Sequence, residues 1–281
     1  MATWAEQTPA GAVDQYWESC AVSADGSVLL AGAYPGRLYL STNGGTSWIE
    51  QQPAGDADKY WRSCAVDSDG SVLLAGVSSG RLYLSTNGGV TWAQTQPAGN
   101  VDKVWYSCAV DSDGSVLIAG VSSGRLYLST NGGTSWSEQQ PAGAADKYWR
   151  SCAVDSDGSV LMAGVNGGRL YLSTNGGTSW TEPRPAGDVD QYWYSCAVDS
   201  DGSVLLAGDT LRLYLSTNGG VTWAQTQPAG NVDKVWWSCA VGPDGSVLLA
   251  GASPGRLYFS SPPAHAALPP MTDHYSRMRR G

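Results

Sequence analysis

The chain has 281 residues, of which only 15% are charged, and its net charge is −9. An acidic chain lacks the positive surface that binds a nucleic acid backbone or an anionic membrane, so we expect neither as a partner. The sequence shows no signal peptide and no apolar run of membrane-spanning length, and it leaves the compartment open. Its 36 glycines and many turn signals favour short strands over helices.

The chain opens on residues 2–6, which match the end of a repeat that is seen complete further on. The first complete unit predicts four strands, over residues 16–23, 27–32, 37–41 and 48–52. Turn signals separate these strands, among them Asp-Gly before the second and Asn-Gly-Gly before the fourth, and Asn and Gly tolerate the positive φ of a hairpin turn. A unit of about 44 residues with four strands is the size of one β-propeller blade.

The turn before the fourth strand is the most regular phrase in the chain. It reads STNGGTSW at residues 41–48 and returns with small changes at 85–92, 129–136, 173–180 and 216–223. The unit bodies are six in number and begin at Tyr16, Tyr60, Val104, Tyr148, Tyr192 and Val235. Repetition over nearly the whole length predicts one closed assembly instead of several domains.

The sixth unit lacks a fourth strand of its own. It reads Ser-Pro-Pro at 261–263 where Asn-Gly-Gly should follow, and proline cannot donate to a strand ladder. Residues 2–6 supply the missing strand. We therefore predict an all-β chain whose residues 1–261 form a monomeric six-bladed β-propeller of four-stranded antiparallel blades, closed by the N-terminal strand on the last blade. Residues 262–281, rich in proline and basic at their end, are predicted to form a disordered tail.

No cofactor and no metal ion are expected. The six cysteines occupy the same point of each unit and, on rotationally related blades, should remain free: Cys20, Cys64, Cys108, Cys152, Cys196 and Cys239. The repeats contain no histidine, which removes His-based zinc sites and nucleophile systems that depend on His. The segment from Asp67 to Gly70 lacks the Glu of a calcium loop and is better explained as a hairpin turn.

The phrase Ser-x-Asn-x-Gly-x-x-Trp resembles the Asp-box, also called the BNR repeat, with Asn where Asp is usual. On this resemblance, which covers residues 2–261, the chain is identified as a non-catalytic member of the sialidase-like propeller superfamily. The resemblance implies that the box is a structural turn on the face away from the ligand. The residues it assigns to the fold are Ser41, Asn43, Gly45, Trp48, Asn87, Trp92, Asn131, Trp136, Asn175, Trp180, Asn218 and Trp223. The family includes sialidases, other glycosidases, sugar-binding propellers and assembly factors, and the fold does not choose among them.

The resemblance also allows a test for catalysis. A sialidase of this family would use a Tyr nucleophile paired with Glu, an Asp acid–base group and three arginines on the substrate carboxylate. Here the arginines that open the third strands form a six-fold ring, at Arg37, Arg81, Arg125, Arg169, Arg212 and Arg256. Among the glutamates only Glu18 lies on a predicted inner strand. Because acid, base and nucleophile differ, near-identical blades do not easily build such a centre, and we expect no enzymatic activity.

The end of the ring opposite the boxes is the predicted ligand face, because its loops change from blade to blade. The residue after the first-strand Trp also varies, and it is Glu18, Arg62, Tyr106, Arg150, Tyr194 and Trp237 in turn. An Asp precedes each first strand, at Asp14, Asp58, Asp102, Asp146, Asp190 and Asp233. With the third-strand arginines and first-strand tryptophans, these types suit a saccharide. The structural alternative is that Asp and Arg of one blade pair with each other and that Trp packs between blades.

Three functions remain open on these residues. The first is a non-enzymatic, lectin-like module that binds a glycan through the loop face, with avidity from repetition around the ring. The second is a scaffold or assembly factor that binds a protein through the same face or through the channel mouth. The third, and least expected, is an Asp-box glycosidase.

Overall fold

The computed structural model describes residues 5–260, and these form six antiparallel sheets that follow one another in chain order. Each sheet is one blade, so the predicted six-bladed β-propeller is confirmed. Blades are numbered 1 to 6 along the chain. Within the described residues no helix is long and apolar enough to cross a membrane.

Each blade adds its strands in sequence order. The first strands are β1 (Trp17–Val22), β5 (Trp61–Val66), β9 (Trp105–Val110), β13 (Trp149–Val154), β17 (Ser195–Val198) and β21 (Trp236–Val241). The second strands are β2 (Leu29–Ala33), β6 (Leu73–Val77), β10 (Leu117–Val121), β14 (Leu161–Gly168), β18 (Leu205–Gly208) and β22 (Leu248–Ala252). The third strands are β3 (Leu38–Ser41), β7 (Leu82–Ser85), β11 (Leu126–Ser129), β15 (Leu170–Ser173), β19 (Leu213–Ser216) and β23 (Leu257–Ser260). The fourth strands are β4 (Ile49–Gln51), β8 (Ala93–Thr95), β12 (Ser137–Gln139) and β20 (Ala224–Thr226).

Two blades depart from this plan. In blade 4 the fourth strand is reduced to a bridge between Leu172 and Thr181, while β14 extends to pair with β16 (Gln191–Tyr192). Blade 6 has three strands among the described residues. Ala5 and Glu6 belong to no strand, and residues 1–4 lie outside the described part, so the pairing of residues 2–6 with blade 6 stays a prediction. The predicted tail at 262–281 also lies outside it.

The first strands are the innermost, because they pack against one another from blade to blade. Their side chains alternate. In β5, Trp61, Ser63 and Ala65 are buried between blades, whereas Arg62 and its alternate neighbours are half-buried and face the central channel. Near the Asp-Gly turns the channel holds a cavity of about 240 Å³ lined by first-strand valines and turn residues of all six blades. The first strands therefore determine what a ligand would meet at the ring centre.

The second and third strands are buried along their length and form the core between blades. Leu82 and Leu84 of blade 2, for example, pack with Trp105 and Leu117 of blade 3. Fully burying a large apolar side chain contributes about 1.5–3 kcal/mol. The blades also approach closely: a Cβ added at Gly120 would lie 2.7 Å from the Cβ of Trp149 in the next blade.

The junction between blade 6 and blade 1 differs from the other five within residues 5–260. Trp17 is 43% exposed, whereas its counterparts in the other blades are 2% exposed. A Cβ added at Gly251 would meet Ser238 and Leu257 of its own blade and no Trp of blade 1. Leu257 and Phe259 of β23 are 72% and 66% exposed. The last blade thus presents an apolar face and an unpaired outer strand.

Candidate ligand-binding site at the channel mouth

The loop end of the ring is built by contacts between neighbouring blades. The loop between the second and third strands of one blade pairs with the linker that precedes the next blade. The N–H of Gly36 donates to the carbonyl oxygen of Lys59 at 2.9 Å, and the N–H of Lys59 donates back at 2.8 Å. Equivalent bridges join Gly80 to Lys103 and Gly124 to Lys147. The backbone at this end is therefore held in place by hydrogen bonds of its own.

Ion pairs between the predicted Arg and Asp sets reinforce these bridges. The shortest N–O distances are 2.8 Å for Arg37–Asp58, 2.7 Å for Arg81–Asp102, 2.9 Å for Arg125–Asp146, 2.8 Å for Arg169–Asp190 and 2.6 Å for Arg212–Asp233. Each Asp belongs to the linker before the next blade, so the pair joins two blades and not one blade to itself. Arg256 and Asp14, which would form the sixth pair, make no ion pair within residues 5–260. These ten paired groups bind each other, which leaves less of their charge for a ligand.

The first-strand tryptophans are core residues. Five of them, from Trp61 to Trp236, are 2% exposed, and only Trp17 is open to solvent. Each ring packs on the third-strand Tyr of its own blade, as Trp61 does on Tyr83 with 5.8 Å between ring centroids. This set therefore fills the space between blades, as the structural alternative supposed.

A β-bulge directs the variable residue that follows each of these tryptophans. In β5 the pairing with β6 shifts between Trp61 and Ser63, and Arg62 is the extra residue. Shifts in blades 1, 4 and 6 place Glu18, Arg150 and Trp237 in the same position. Because such a residue shares the channel side of its strand, the bulge turns it toward the mouth of the channel.

The variable residues of all six blades meet there, and we call them the mouth cluster: Glu18, Arg62, Tyr106, Arg150, Tyr194 and Trp237. Nη1 of Arg62 lies 3.0 Å from Oε1 of Glu18, and Nη2 donates to the hydroxyl of Tyr106. The rings of Tyr194 and Trp237 stack with centroids 4.7 Å apart and planes at 19°. One asymmetric cluster thus replaces six equivalent sites.

Arg150 lies at the centre of this cluster. Its guanidinium carbon is 4.3 Å from the ring centroid of Tyr106, 5.0 Å from that of Tyr194 and 4.8 Å from that of Trp237. Among residues 5–260 it makes no ion pair with a carboxylate. Burial, and after it the charge of Arg62, lower the pKa of Arg150 to about 10. Arg150 is still a cation at neutral pH, in surroundings where an anion would be welcome.

Sequence reasoning missed a set of tyrosines around the mouth. Tyr34 and Tyr60 pack with centroids 4.6 Å apart, and the guanidinium of Arg62 lies 5.1 Å from the Tyr34 ring. Tyr60, Tyr148 and Tyr192 are 44–50% exposed. The signal was available, because a Tyr recurs directly before the first-strand Trp, but it served only to mark where each unit begins.

Charge is separated between the two ends of the ring. The Asp-Gly turns carry ten carboxylates and no Lys or Arg: Asp25, Asp67, Asp69, Asp111, Asp113, Asp155, Asp157, Asp199, Asp201 and Asp244. All thirteen Lys and Arg of the described residues lie in the loops, linkers and strand starts of the loop end. No ion pair of residues 5–260 involves a lysine. The loop end is therefore the face that an anionic ligand would approach.

The boxes lie at the acidic end and are held by local hydrogen bonds. In blade 3 the Ser129 hydroxyl donates to Oδ1 of Asn131 at 3.0 Å, and the N–H of Ser135 donates to the same oxygen at 2.9 Å. Gly132 and Gly133 have φ of 63° and 80°, which the turn requires. No three His, Cys, Asp or Glu side chains of residues 5–260 are grouped to hold a metal ion.

Solved structures with this fold include GH74 glycoside hydrolases. The GH74 enzyme of Niastella koreensis has a TM-score of 0.64 at 19% identity, covering 87% of this chain and 44% of its own. An ancestral GH74 enzyme has a TM-score of 0.70 at 23% identity, covering 92% of this chain and 38% of its own. For the GH74 xyloglucanase from Xanthomonas campestris the values are 0.64 and 24%, covering 87% and 45%. This chain spans less than half the length of these enzymes.

These similarities are low in identity and show the β-propeller fold alone. No protein-family model matches the sequence, and no curated protein does. The relation to Asp-box proteins and the absence of catalysis accordingly stay predictions, and function has to be argued from the mouth cluster.

Proposed function

We propose that the chain is a non-enzymatic, lectin-like module that binds a saccharide at the mouth cluster. The observation that carries this proposal is the convergence of the six variable residues on one point, while the repeated Asp, Arg and Trp sets are used between blades. Trp237 is 51% exposed and supplies an aromatic face for a pyranose ring. Arg62 and Arg150 supply donors to hydroxyl or acidic groups.

Binding is proposed at one central site. The notebook of repeated groups around the ring would offer avidity only if each blade kept a free Asp and Arg, and five such pairs are closed on themselves. The mouth cluster, in contrast, differs at every blade and is shared by all six.

Saccharide binding without turnover agrees with the acids available. Glycoside hydrolases generally use two carboxyl groups on either side of the scissile bond. The mouth cluster contains one carboxyl group, that of Glu18, and it is paired with Arg62 at 3.0 Å. A bound saccharide would therefore find no second acid or base within the cluster.

A glycan array followed by calorimetry on the best ligands tests this function. We compare the wild type with Trp237→Ala and with Val90→Ala, a control at an exposed residue of the box end. We expect binding that Trp237→Ala weakens at least about tenfold and Val90→Ala leaves unchanged. Release of reducing ends from a bound glycan would contradict the non-enzymatic proposal, and an array without binding would contradict saccharide recognition.

Protein binding is the second candidate, since Tyr, Trp and Arg are the residue types that dominate protein interfaces. Capture of a partner by the wild type and by an Arg62→Ala/Arg150→Ala double variant tests it. If the double variant captures the same partner equally well, the mouth cluster is not a protein-binding surface.

A further inference from the structure

The two arginines of the mouth cluster have the same neighbours but different partners. Arg62 lies against Tyr34 and Tyr106 and also holds the carboxylate of Glu18 at 3.0 Å. Arg150 lies against three aromatic rings and holds no carboxylate among the described residues. The pair formed by Arg62 therefore shows, within this protein, how a carboxylate is bound at the mouth.

The charge around the cluster also favours an anion. Two guanidinium groups face one carboxylate, so the cluster carries one uncompensated positive charge. Four half-buried lysines without an ion pair follow the linkers at the same end: Lys59, Lys103, Lys147 and Lys234. The chain as a whole is acidic, yet its ten turn carboxylates lie at the opposite end of the ring. An anion would therefore be attracted to the mouth and repelled from the other face.

The shape of the guanidinium narrows the anion. Arg offers parallel N–H groups in a planar fork, which match a carboxylate with two bonds at once. Burial among aromatic rings strengthens such a pair, because less water competes for the charges. The lowered pKa of Arg150 has the same origin, and binding an anion would raise it again.

Resting on the proposed saccharide binding, we infer that the ligand is a carboxylated saccharide, whose carboxylate binds Arg150 while its sugar ring packs on the exposed part of Trp237. Glu18 then acts as an internal competitor, since its carboxylate neutralises the neighbouring Arg62. A uronic-acid oligosaccharide has the required chemistry: a pyranose ring with a carboxylate attached to it.

Calorimetry with the full chain tests this choice of ligand. The ligands are a uronic-acid oligosaccharide, the same oligosaccharide with its carboxyl groups reduced to alcohols, and a neutral saccharide that carries sulfate at matched charge. We expect the carboxylated form to bind about tenfold or more tightly than the reduced form, because a charge-assisted bond is lost in the latter. Added salt should reduce that preference.

Matched variants locate the effect. Arg150→Gln should abolish the preference for the carboxylate, and Arg150→Lys should keep part of it, because a charge remains without the fork. Arg125→Gln, which changes an arginine already paired with Asp146 at 2.9 Å, is the control and should bind like the wild type. Glu18→Gln should bind the carboxylated ligand a few-fold more tightly, a gain that misfolding cannot produce.

The outcomes separate this inference from the proposed function. Equal binding of the carboxylated and reduced forms would overturn the inference and leave saccharide binding intact. Stronger binding of the sulfated form would show that the site selects another anion. An unchanged preference in Arg150→Gln, or no gain in Glu18→Gln, would also overturn it, and the absence of any saccharide binding would remove both proposals.

Discussion

The indole Nε1 of Trp48 donates a hydrogen bond to Oε1 of Gln7 at 3.0 Å. The same bond occurs between blades 1 and 2, where Trp92 donates to Gln51 at 2.8 Å, and Gln51 ends the fourth strand of blade 1. Gln7 therefore lies against blade 1 where the fourth strand of a preceding blade would end. In a ring that preceding blade is blade 6, so this bond supports the closure predicted from residues 2–6.

A cavity between blades 5 and 6 supports the same closure. It measures about 230 Å³ and is lined by Leu213, Leu215 and Tyr258 among others. Between blades 2 and 3 the equivalent residues pack against Trp136, the box Trp of blade 3. Trp4 holds the equivalent place in the sequence of the closing strand, although it lies outside the described residues.

The first prediction is that Trp4→Ala opens the ring. Closure would bring blade 6 against blade 1 and bury the exposed Cys20 as its counterparts are buried. We expect slow labelling of all six thiols in the wild type and fast labelling of one, Cys20, in Trp4→Ala, measured by mass spectrometry on the native protein. Loss of the buried indole should lower the free energy of unfolding by about 3 kcal/mol. Trp4→Phe is the control, and equally fast labelling of Cys20 in wild type and Trp4→Ala would argue against the closure.

The second prediction uses the close approach of blades. Gly120→Ala would place a Cβ 2.7 Å from that of Trp149, and we expect a loss of about 1–3 kcal/mol in urea unfolding. Gly251→Ala meets no such Trp in the described structure, although Ser238 is near in both settings. If blade 1 closes on blade 6, Trp17 takes that place and the two variants should lose similar amounts. A cost at Gly120 that is no greater than that of an exposed substitution would contradict the packing itself.

The blade architecture could be predicted from sequence because its determinants are local and repeated. The box turn needs Asn and two glycines at fixed offsets, and each turn forms its hydrogen bonds within a few residues, as Ser129 and Asn131 do. The ring follows from counting these units. The reduction of the fourth strand of blade 4 to a bridge at Thr181 has no such local signal.

The site was only partly predictable for a physical reason. The variable set from Glu18 to Trp237 could be chosen because it is not repeated, but contacts between residues about 44 apart, such as Arg62 with Tyr106, depend on the bulge and on the ring diameter. The pairing of Arg37 with the Asp of the next linker also depends on how neighbouring blades sit together. Tyr34 was missed because it lies in a loop that varies.

The third prediction concerns Asn in the box where Asp is usual. Oδ1 of Asn131 accepts two hydrogen bonds, and its Nδ2 donates to the Ser135 hydroxyl at 2.7 Å. Asn131→Ala loses all three, and we expect a drop of about 1–3 kcal/mol in the free energy of unfolding. Asn131→Asp should stay within about 0.5 kcal/mol, because the Ser135 hydroxyl can turn and donate to the second carboxylate oxygen.

Thr134→Val is the matched control for this box, since Val stands at the same position as Val90 in blade 2. It should change stability little in the same urea titration. If Asn131→Asp proves as costly as Asn131→Ala, the Nδ2–H bond is indispensable and the exchange of donor and acceptor described above is wrong.

The fourth prediction concerns Asp209, a fully buried carboxyl group in the shortened loop of blade 5. Its Oδ1 accepts from the N–H groups of Leu211 and Arg212 at 2.6 Å and 2.5 Å, while Oδ2 has no partner among the described residues. Burial raises the pKa of Asp209, against the opposing effect of these N–H groups. The side chain replaces contacts that the longer loops make with one more residue.

The raised pKa sets the direction of the pH dependence. The folded chain holds the Asp209 proton more tightly than the unfolded chain, so this group makes stability fall as pH rises from the unfolded pKa to the folded one. Arg212 lowers and Asp233 raises the pKa of Asp209, and neither titrates differently in the comparison that follows. Asp209→Asn keeps an acceptor for both N–H groups and removes the buried charge. We expect it to be about 1 kcal/mol more stable than the wild type at pH 7, with the difference vanishing near pH 4 in urea unfolding. A wild type whose advantage over Asp209→Asn grows with pH would show that the carboxylate is stabilised where it lies.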